Sequence, residues 1–574
     1  MPEESKFLAV GIDLGTTYSC IAYVDSYGKP VVVKNCEGGS TTPSVVQLSH
    51  DPNEIVVGTV AKGEKANLPG ELIVEFVKRS MGKENWKHMV DGREYRAEEI
   101  SAYILKKMVK DAAEQIGPIT QAVITCPAYF GINEREATAQ AGTLAGLQGY
   151  ILDAATGIRK CNIIPEPTAA AFYYGLAKAR DNETVMVYDL GGGTFDVTLL
   201  EVTKEAVNAL CIGGDHELGG KDWDDLMANY VLDCARESGI DSEAVYSDSM
   251  ALGDLMLRVE EAKKILTAKE KATVNFTFGK LARVEISRQK FDELTAPKLD
   301  RTILLCRDML KEAAGLGYTA FDRILLVGGS TRMPQVRRRL EAEFPGIPIE
   351  FNEPDEAVAK GAALFAQKLM VDEQVQREID TIFQRTGRSA EAGKSLEEVK
   401  EANPEVVREA MKNTAARFSL PTQQVEMIAG REVGDITSKS FGIQAYNAQD
   451  RLTVANLIRK NAKLPASVTQ SFFTRADSQA SAELTIMESK LLDEEIELVQ
   501  AQEISKAVLP LPSGLPAGSP IEITFDLDRS GLLKFRGCEI TSNNLIEGEI
   551  QTTAKISEAE ATMALQRVNA ANVS

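Results

Sequence analysis

Gly11-Ile12-Asp13-Leu14-Gly15-Thr16-Thr17-Tyr18-Ser19 returns later in the chain as Val187-Tyr188-Asp189-Leu190-Gly191-Gly192-Gly193-Thr194-Phe195-Asp196, the two aspartates being 189 − 13 = 176 residues apart. Each copy reads as a buried strand ending in Asp, a glycine-rich turn and a second strand, Ile21 to Val24 in the first and Val197 to Val202 in the second. Without a Cβ in the way, such a turn can aim successive backbone N–H groups at phosphate oxygens. One copy alone is an ordinary hairpin. Two facing copies would grip a polyphosphate from both sides. An aspartate beside a phosphate repels it unless a cation stands between, so Asp13 and Asp189 imply Mg²⁺ held through its waters.

Further stretches point the same way. Leu325-Leu326-Val327-Gly328-Gly329-Ser330-Thr331-Arg332 reads as a strand and Gly-Gly turn leading into a helix near Pro334, a bed for a base or ribose. Glu260, Lys263 and Thr267 fall at i, i+3 and i+7 and share one helix face. No GxxxxGK[ST] loop occurs, so a nucleotide must be held by other means.

Composition narrows the function classes. The 64 Lys+Arg against 84 Asp+Glu leave a net charge of −20, which speaks against nucleic-acid or anionic-membrane partners. No run of 18 apolar residues suits a bilayer span, and Met1-Pro2-Glu3-Glu4-Ser5 has neither the basic nor the apolar region of a signal peptide. The eight cysteines are scattered without a CxxC pair, so a reducing cytoplasm is expected; three histidines leave little for zinc sites or Ser-His-Asp triads.

Residues 1–367 alternate strand-like and helix-like stretches, an α/β pattern, with helices expected from Arg258 to Leu266 and Arg301 to Ala314. Residues 368–437 hold a polar helical insertion and a linker. Ser395 with Glu398 forms a capping box there, and Asn403-Pro404 reads as an N-cap with a proline at the first helical position, the helix running to about Arg417. Residues 438–556 read as an antiparallel β domain: Ile521, Ile523, Phe525 and Leu527 alternate before an Asp528-Arg529-Ser530-Gly531 turn, and Ile550, Thr552, Ala554 and Ile556 alternate after it. Residues 557–574 form a short final helix, capped by Ser557 and Glu560.

Together the two hairpins, Ile124-Thr125-Cys126-Pro127-Ala128-Tyr129-Phe130, Glu166-Pro167-Thr168-Ala169-Ala170-Ala171, the Gly-Gly-Ser-Thr-Arg turn and Asn352-Glu353-Pro354-Asp355-Glu356-Ala357-Val358-Ala359 resemble the seventy-kilodalton heat-shock chaperone family. The resemblance covers about 8–367 closely and 438–556 more loosely. It implies an actin-like (ribonuclease H-like) ATPase domain of two lobes, then the helical insertion, a β-sandwich of the peptide-binding type, and a remnant of the family's lid at 557–574. It further implies that Thr16, Thr17, Tyr18, Gly191, Gly192, Gly193 and Thr194 bind the phosphates of ATP or ADP, and that Asp13 and Asp189 hold Mg²⁺. Asp196, with Tyr18 and Thr194, would help bind K⁺; Lys78 would position the attacking water and Glu166 complete the site. Adenosine would lie against Glu260, Lys263, Thr267, Gly329, Ser330, Arg332 and Asp355. Pro127 and Arg135 match the pair that relays nucleotide state, and Ile443, Tyr446, Phe472, Ala482 and Leu484 match a groove for extended, unfolded polypeptide.

The chain departs from that family in four places. The aliphatic linker is reduced to Arg431-Glu432-Val433-Gly434-Asp435-Ile436-Thr437, which is expected to weaken domain docking by roughly 1.5–3 kcal/mol for each aliphatic side chain lost. The insertion replaces a few residues, the lid is absent, and Asn162 stands where the family has the arginine that receives a J-domain co-chaperone. A nucleotide-exchange factor is a further implied partner. Two readings follow: a lidless ATP-hydrolysing chaperone, or an ATP-regulated interaction protein whose hydrolysis is weak or uncoupled.

Overall fold

Both glycine turns occupy the same corner of the same sheet topology. In the first half the strand order is Asn162–Pro165, Val123–Cys126, Val10–Asp13, Tyr18–Val24, Pro30–Val32; in the second it is Ile349–Phe351, Arg323–Val327, Glu183–Leu190, Phe195–Val202, Ala206–Asp215. In each, a three-stranded antiparallel meander is extended by two parallel strands. Even the register repeats, since Asp13 pairs with Cys20 and Asp189 with Asp196. The computed structural model describes residues 8–150, 159–178, 182–203, 205–351, 353–388, 396–528, 533–540, 544–549 and 558–574.

Two helices lie between the sheets and hold them together. Glu166–Lys178 and Ala357–Arg385 contribute Ala169, Ala170, Ala171, Ala359, Ala362, Ala363 and Ala366 to one core shared with Ala22, Val123, Val187 and Leu200. Small side chains are needed because the helices cross nearly in contact: a Cβ on Gly361 would lie 1.8 Å from Ala169 O. The remaining faces are covered separately, the first sheet by Ala97–Ile116 and the second by Gly220–Ala235, Ser249–Ala268 and Arg288–Gly315.

Helix Ala357–Arg385 crosses the 367/368 boundary unbroken, so the insertion grows out of the last helix of the α/β region. With Leu396–Ala402, Pro404–Phe418 and Thr422–Ala429 it builds a core of its own around Val375, Ile379, Phe383, Val407 and Val425. Pro404 stands at the first helical position as expected, but Asn403 makes no side-chain cap; its amide oxygen accepts from Arg388 instead. The Ser395–Glu398 box, the 529–531 turn, the 550–556 alternation and Ser557 involve residues outside those described.

The β region has two antiparallel sheets, of five and four strands. Their inward residues, among them Phe441, Ile486, Ile504, Ile523, Phe525 and Phe535, form one core. The linker differs from expectation. Glu432–Gly434 adds a sixth strand to the second sheet, parallel to Ala206–Asn208, with Glu432 N donating to Glu205 O at 2.7 Å. Main-chain pairing of this kind needs no aliphatic run. Arg135 fixes the junction through Asp435 at 3.1 Å, and Ser438 Oγ donates to Phe130 O.

The final helix, Glu558–Ala570, lies on the first half of the α/β region, where Ala564 and Val568 enter the core beside Ala97–Ile116. Asn572–Val573 then pairs in parallel with Glu54–Ile55.

Candidate nucleotide site

The tips of the two hairpins meet. A Cβ on Gly192 would lie 1.7 Å from Thr17 Oγ1, and one on Gly193 would lie 2.3 Å from Thr16 Cγ2. Glycine is therefore required at both positions by the apposition of the halves, neither residue having a positive φ. The Gly-Gly turn after Arg323–Val327 locks on from the side: Gly328 adopts φ +83°, and Ser330 Oγ donates to Gly191 O at 2.8 Å.

A cavity of about 460 Å³ opens between the halves. At the phosphate end it is lined by Asp13, Thr16, Thr17, Tyr18, Lys78, Glu166, Asp189, Gly191, Gly192 and Thr194, and at the other end by Glu260, Lys263, Thr267, Gly329, Ser330, Arg332 and Asp355. Two expected residues do not line it. Gly193 packs behind the tip against Thr16 and Gly219, and Asp196 sits on the far strand of the second hairpin, fully buried, with Oδ1 unpartnered. A larger cleft of about 940 Å³, between the end of Arg288–Gly315 and the β region, holds none of the hairpin residues.

Charge in the cavity floor is unbalanced. Lys78 and Glu166 are buried and paired. Burial works against the Lys78 charge, but Glu166 and Asp13 outweigh it and hold its pKa up. Burial, then Glu166, push Asp13 up to about 7 despite Lys78 and a 3.0 Å hydrogen bond from Thr125. Asp189 is raised strongly by burial, Glu166 and Asp13, and Asp196 by burial, Glu166 and Asp189. Asp13, Asp189 and Glu166 thus line the floor beside one lysine, with Asp196 buried behind them.

The mouth is bridged across the halves. Lys62 reaches Glu260 at 2.6 Å and Tyr18 Oη at 2.8 Å, Tyr18 Oη donates to Glu260 at 2.9 Å, and Lys264 joins both. Burial opposes ionisation of Glu260, yet Lys62 and Lys264 pull its pKa down to about 2. Lys263 is tied to Asp224 at 2.6 Å and to Gly220 O; Arg332 pairs with Asp355. Lys62, Asp224 and Lys264 were not singled out from the sequence. Lys264 continues the Glu260–Thr267 stripe and could have been found there; Lys62 and Asp224 carry no local signal.

At the positions matched to a peptide groove, Ile443 and Leu484 are buried core residues, with Phe472 and Ala482 packed partly buried against the same core. Tyr446 is half-exposed beneath the Arg475 guanidinium, 3.5 Å from its ring centre, and Arg475 pairs with Asp450 at 2.6 Å.

The family model described as Hsp70 protein matches residues 9–380, the region that carries both hairpins and the cavity. The chain belongs to the Hsp70 family. Its α/β region is accordingly of the actin-like ATPase fold, and the protein is a chaperone of the Hsp70 type with a nucleotide-binding region. Residues beyond 380, including most of the insertion, the linker strand and the β region, lie outside that match. Among the described residues no helix is long and apolar enough to cross a membrane.

Proposed function

We propose that this Hsp70 family member binds ATP with Mg²⁺ in the interlobe cavity, hydrolyses it, and uses the cycle to handle extended polypeptide segments at its β-sandwich. The observation that carries the reading is the tip-to-tip apposition of the two glycine hairpins over a floor of buried carboxylates. The amides of Thr16, Thr17, Gly192 and Thr194 would donate to phosphate oxygens from both sides, the Gly191 amide being held by Thr194 O at 3.0 Å. Asp13 and Asp189 would hold the metal through water, which when bound supplies positive charge beside the β- and γ-phosphates. Asp196, with Tyr18 and Thr194, is the candidate K⁺ site.

Hydrolysis on this plan is positioning and electrostatics. Lys78, braced by Glu166, presents an ammonium at the cavity floor, where it can orient a water and offset charge on the transferring phosphoryl group. No strong general base is needed. The Lys62–Glu260–Tyr18–Lys264 cluster closes over the nucleotide, and Gly329, Ser330, Arg332 and Asp355 bed the adenosine. Lys78→Ala is expected to bind ATP normally and to lose single-turnover hydrolysis; wild-type turnover in this variant would remove the assignment.

A second reading, an ATP-regulated scaffold, draws support from the attachment of the β region to both halves, through the linker strand and the final helix. Asn162 turns its oxygen to the Tyr150 amide at 2.7 Å, so this position gives a J-domain co-chaperone no arginine to grip. Peptide-stimulated hydrolysis supports the chaperone; a slow, peptide-indifferent cycle supports the scaffold. A cytoplasmic setting and response to stress go with the chaperone reading.

A further inference from the structure

Lys78 stands on a short 3₁₀ turn, Val77–Ser80, entered through Phe76, whose φ of +57° is a left-handed conformation rare for a bulky side chain. That turn points consecutive residues in opposite directions. Lys78 faces the cavity, whereas Arg79 does not line it and instead crosses to the second half of the molecule. Its Nε donates to Gly193 O at 2.7 Å, and its Nη2 to Asp222 Oδ2 at 2.7 Å.

Both acceptors belong to the second hairpin's support. Gly193 is the third glycine of the turn. Asp222 Oδ2 also accepts from Gly219 N at 2.8 Å, at the start of helix Gly220–Ala235. Gly219 packs so closely that a Cβ would lie 2.5 Å from Gly193 N, and the next two amides, of Gly220 and Lys221, donate to Gly191 O and Gly192 O at 2.9 and 2.7 Å. The guanidinium therefore closes a network that holds every carbonyl of the Gly191–Gly193 run from behind, while the Gly191 amide donates within the turn to Thr194 O at 3.0 Å. The Arg79 and Asp222 side chains are only 17% and 13% exposed, so water screens the pair weakly.

We propose that Arg79 is a positioning residue of the hydrolysis step: by clamping Gly193 and Asp222 it sets the distance between the Lys78 ammonium and the amides of the second hairpin. The assignment rests on the ATPase reading above. Arg79 touches no part of the cavity, so its loss acts on alignment and leaves the ligand contacts in place. A misplacement on the ångström scale is worth about 10²-fold in rate. Arginine is specific here because two acceptors in different directions require its fork; lysine can serve one.

The test is Arg79→Met in the full chain, compared with Arg79→Lys and Lys78→Ala. Single-turnover hydrolysis of Mg-ATP is expected to fall about ten-fold or more in Arg79→Met while the dissociation constant stays within about three-fold, with Arg79→Lys intermediate in rate. Hydrogen exchange in the peptide covering Gly191–Thr194 is expected to quicken in the nucleotide-free variant. Should Arg79→Met fail to fold, Asp222→Asn carries the same expectations. Wild-type turnover in Arg79→Met, or affinity and turnover falling together, overturns the proposal. A wild-type chain with no turnover at all refutes the ATPase reading instead. In that event the exchange at Gly191–Thr194 still decides on Arg79, unchanged exchange counting against it.

Discussion

Glu260 holds three partners drawn from both halves of the molecule, and its acidity records that. Its folded pKa of about 2 lies below the ordinary glutamate value of 4.5, so ionised Glu260 stabilises the closed mouth above pH 4.5. This contribution is lost as pH falls through 2, the folded pKa. Replacing Glu260 by Gln should cost about 2 kcal/mol near pH 7, allowing for the half-exposed Lys264, and little near pH 2. Urea titrations of both proteins across that range check it; a pH-independent difference would show that the mouth is held otherwise. At the hairpin tips Gly192→Ala puts a methyl group into Thr17, and nucleotide affinity should fall at least ten-fold, or about 1.4 kcal/mol, as read by titration calorimetry.

Elements were unequally legible. The duplicated strand–turn–strand announced itself because a glycine-rich turn between buried strands leaves a local pattern. Helix Ser249–Ala268 was seen only from 258, because its first half is less periodic, and Arg288–Gly315 was seen only from 301 because Pro297 reads as a break. The linker's strand pairing was not legible for a more general reason. Glu432–Gly434 is held by backbone hydrogen bonds that any sequence can make, so its side chains carry no signal. What anchors it is charge: removing Asp435 would strand the Arg135 guanidinium, which is buried. Asp435→Ala should therefore weaken docking by about 3 kcal/mol, seen as faster hydrogen exchange at both Ala206–Asn208 and Glu432–Gly434. Arg431, at the entry to the same strand, is 3% exposed with Nε and Nη1 unpartnered above the Phe172 ring. Burial pulls its pKa down. Arg431→Met is expected to slow exchange in the strand, since an unpaired charge leaves the interior; faster exchange would mean that packing on Phe172 matters more.

At the scale of the molecule, the β region is tied at both ends. The linker strand joins the second sheet, and the final helix and strand join the first half, where Val568 and Val573 are buried and Arg567 pairs with Glu99 at 2.6 Å. Lys106 caps the end of that helix through the carbonyls of Val568, Asn569 and Ala571. Such a segment reads from sequence as a stub, because the groove that receives it is made by residues nearly five hundred positions away. Deleting 558–574 uncovers that groove and leaves Glu99 without its arginine, a loss of roughly 5 kcal/mol from two buried valines and one broken pair. Thermal unfolding should shift clearly downward; an unchanged midpoint would make the segment an adornment. Most residues that line the cavity were legible because they sit in short motifs, while the ties at its mouth emerge only when distant segments meet. The proposed role of that cavity is to hold one magnesium–nucleotide unit between opposed hairpins and buried carboxylates. Titration calorimetry of the full chain with ATP, with and without Mg²⁺, tests it directly. The account predicts one nucleotide per chain in Mg²⁺ and binding weakened about ten-fold or more by chelation; no uptake, or affinity indifferent to the metal, would contradict it.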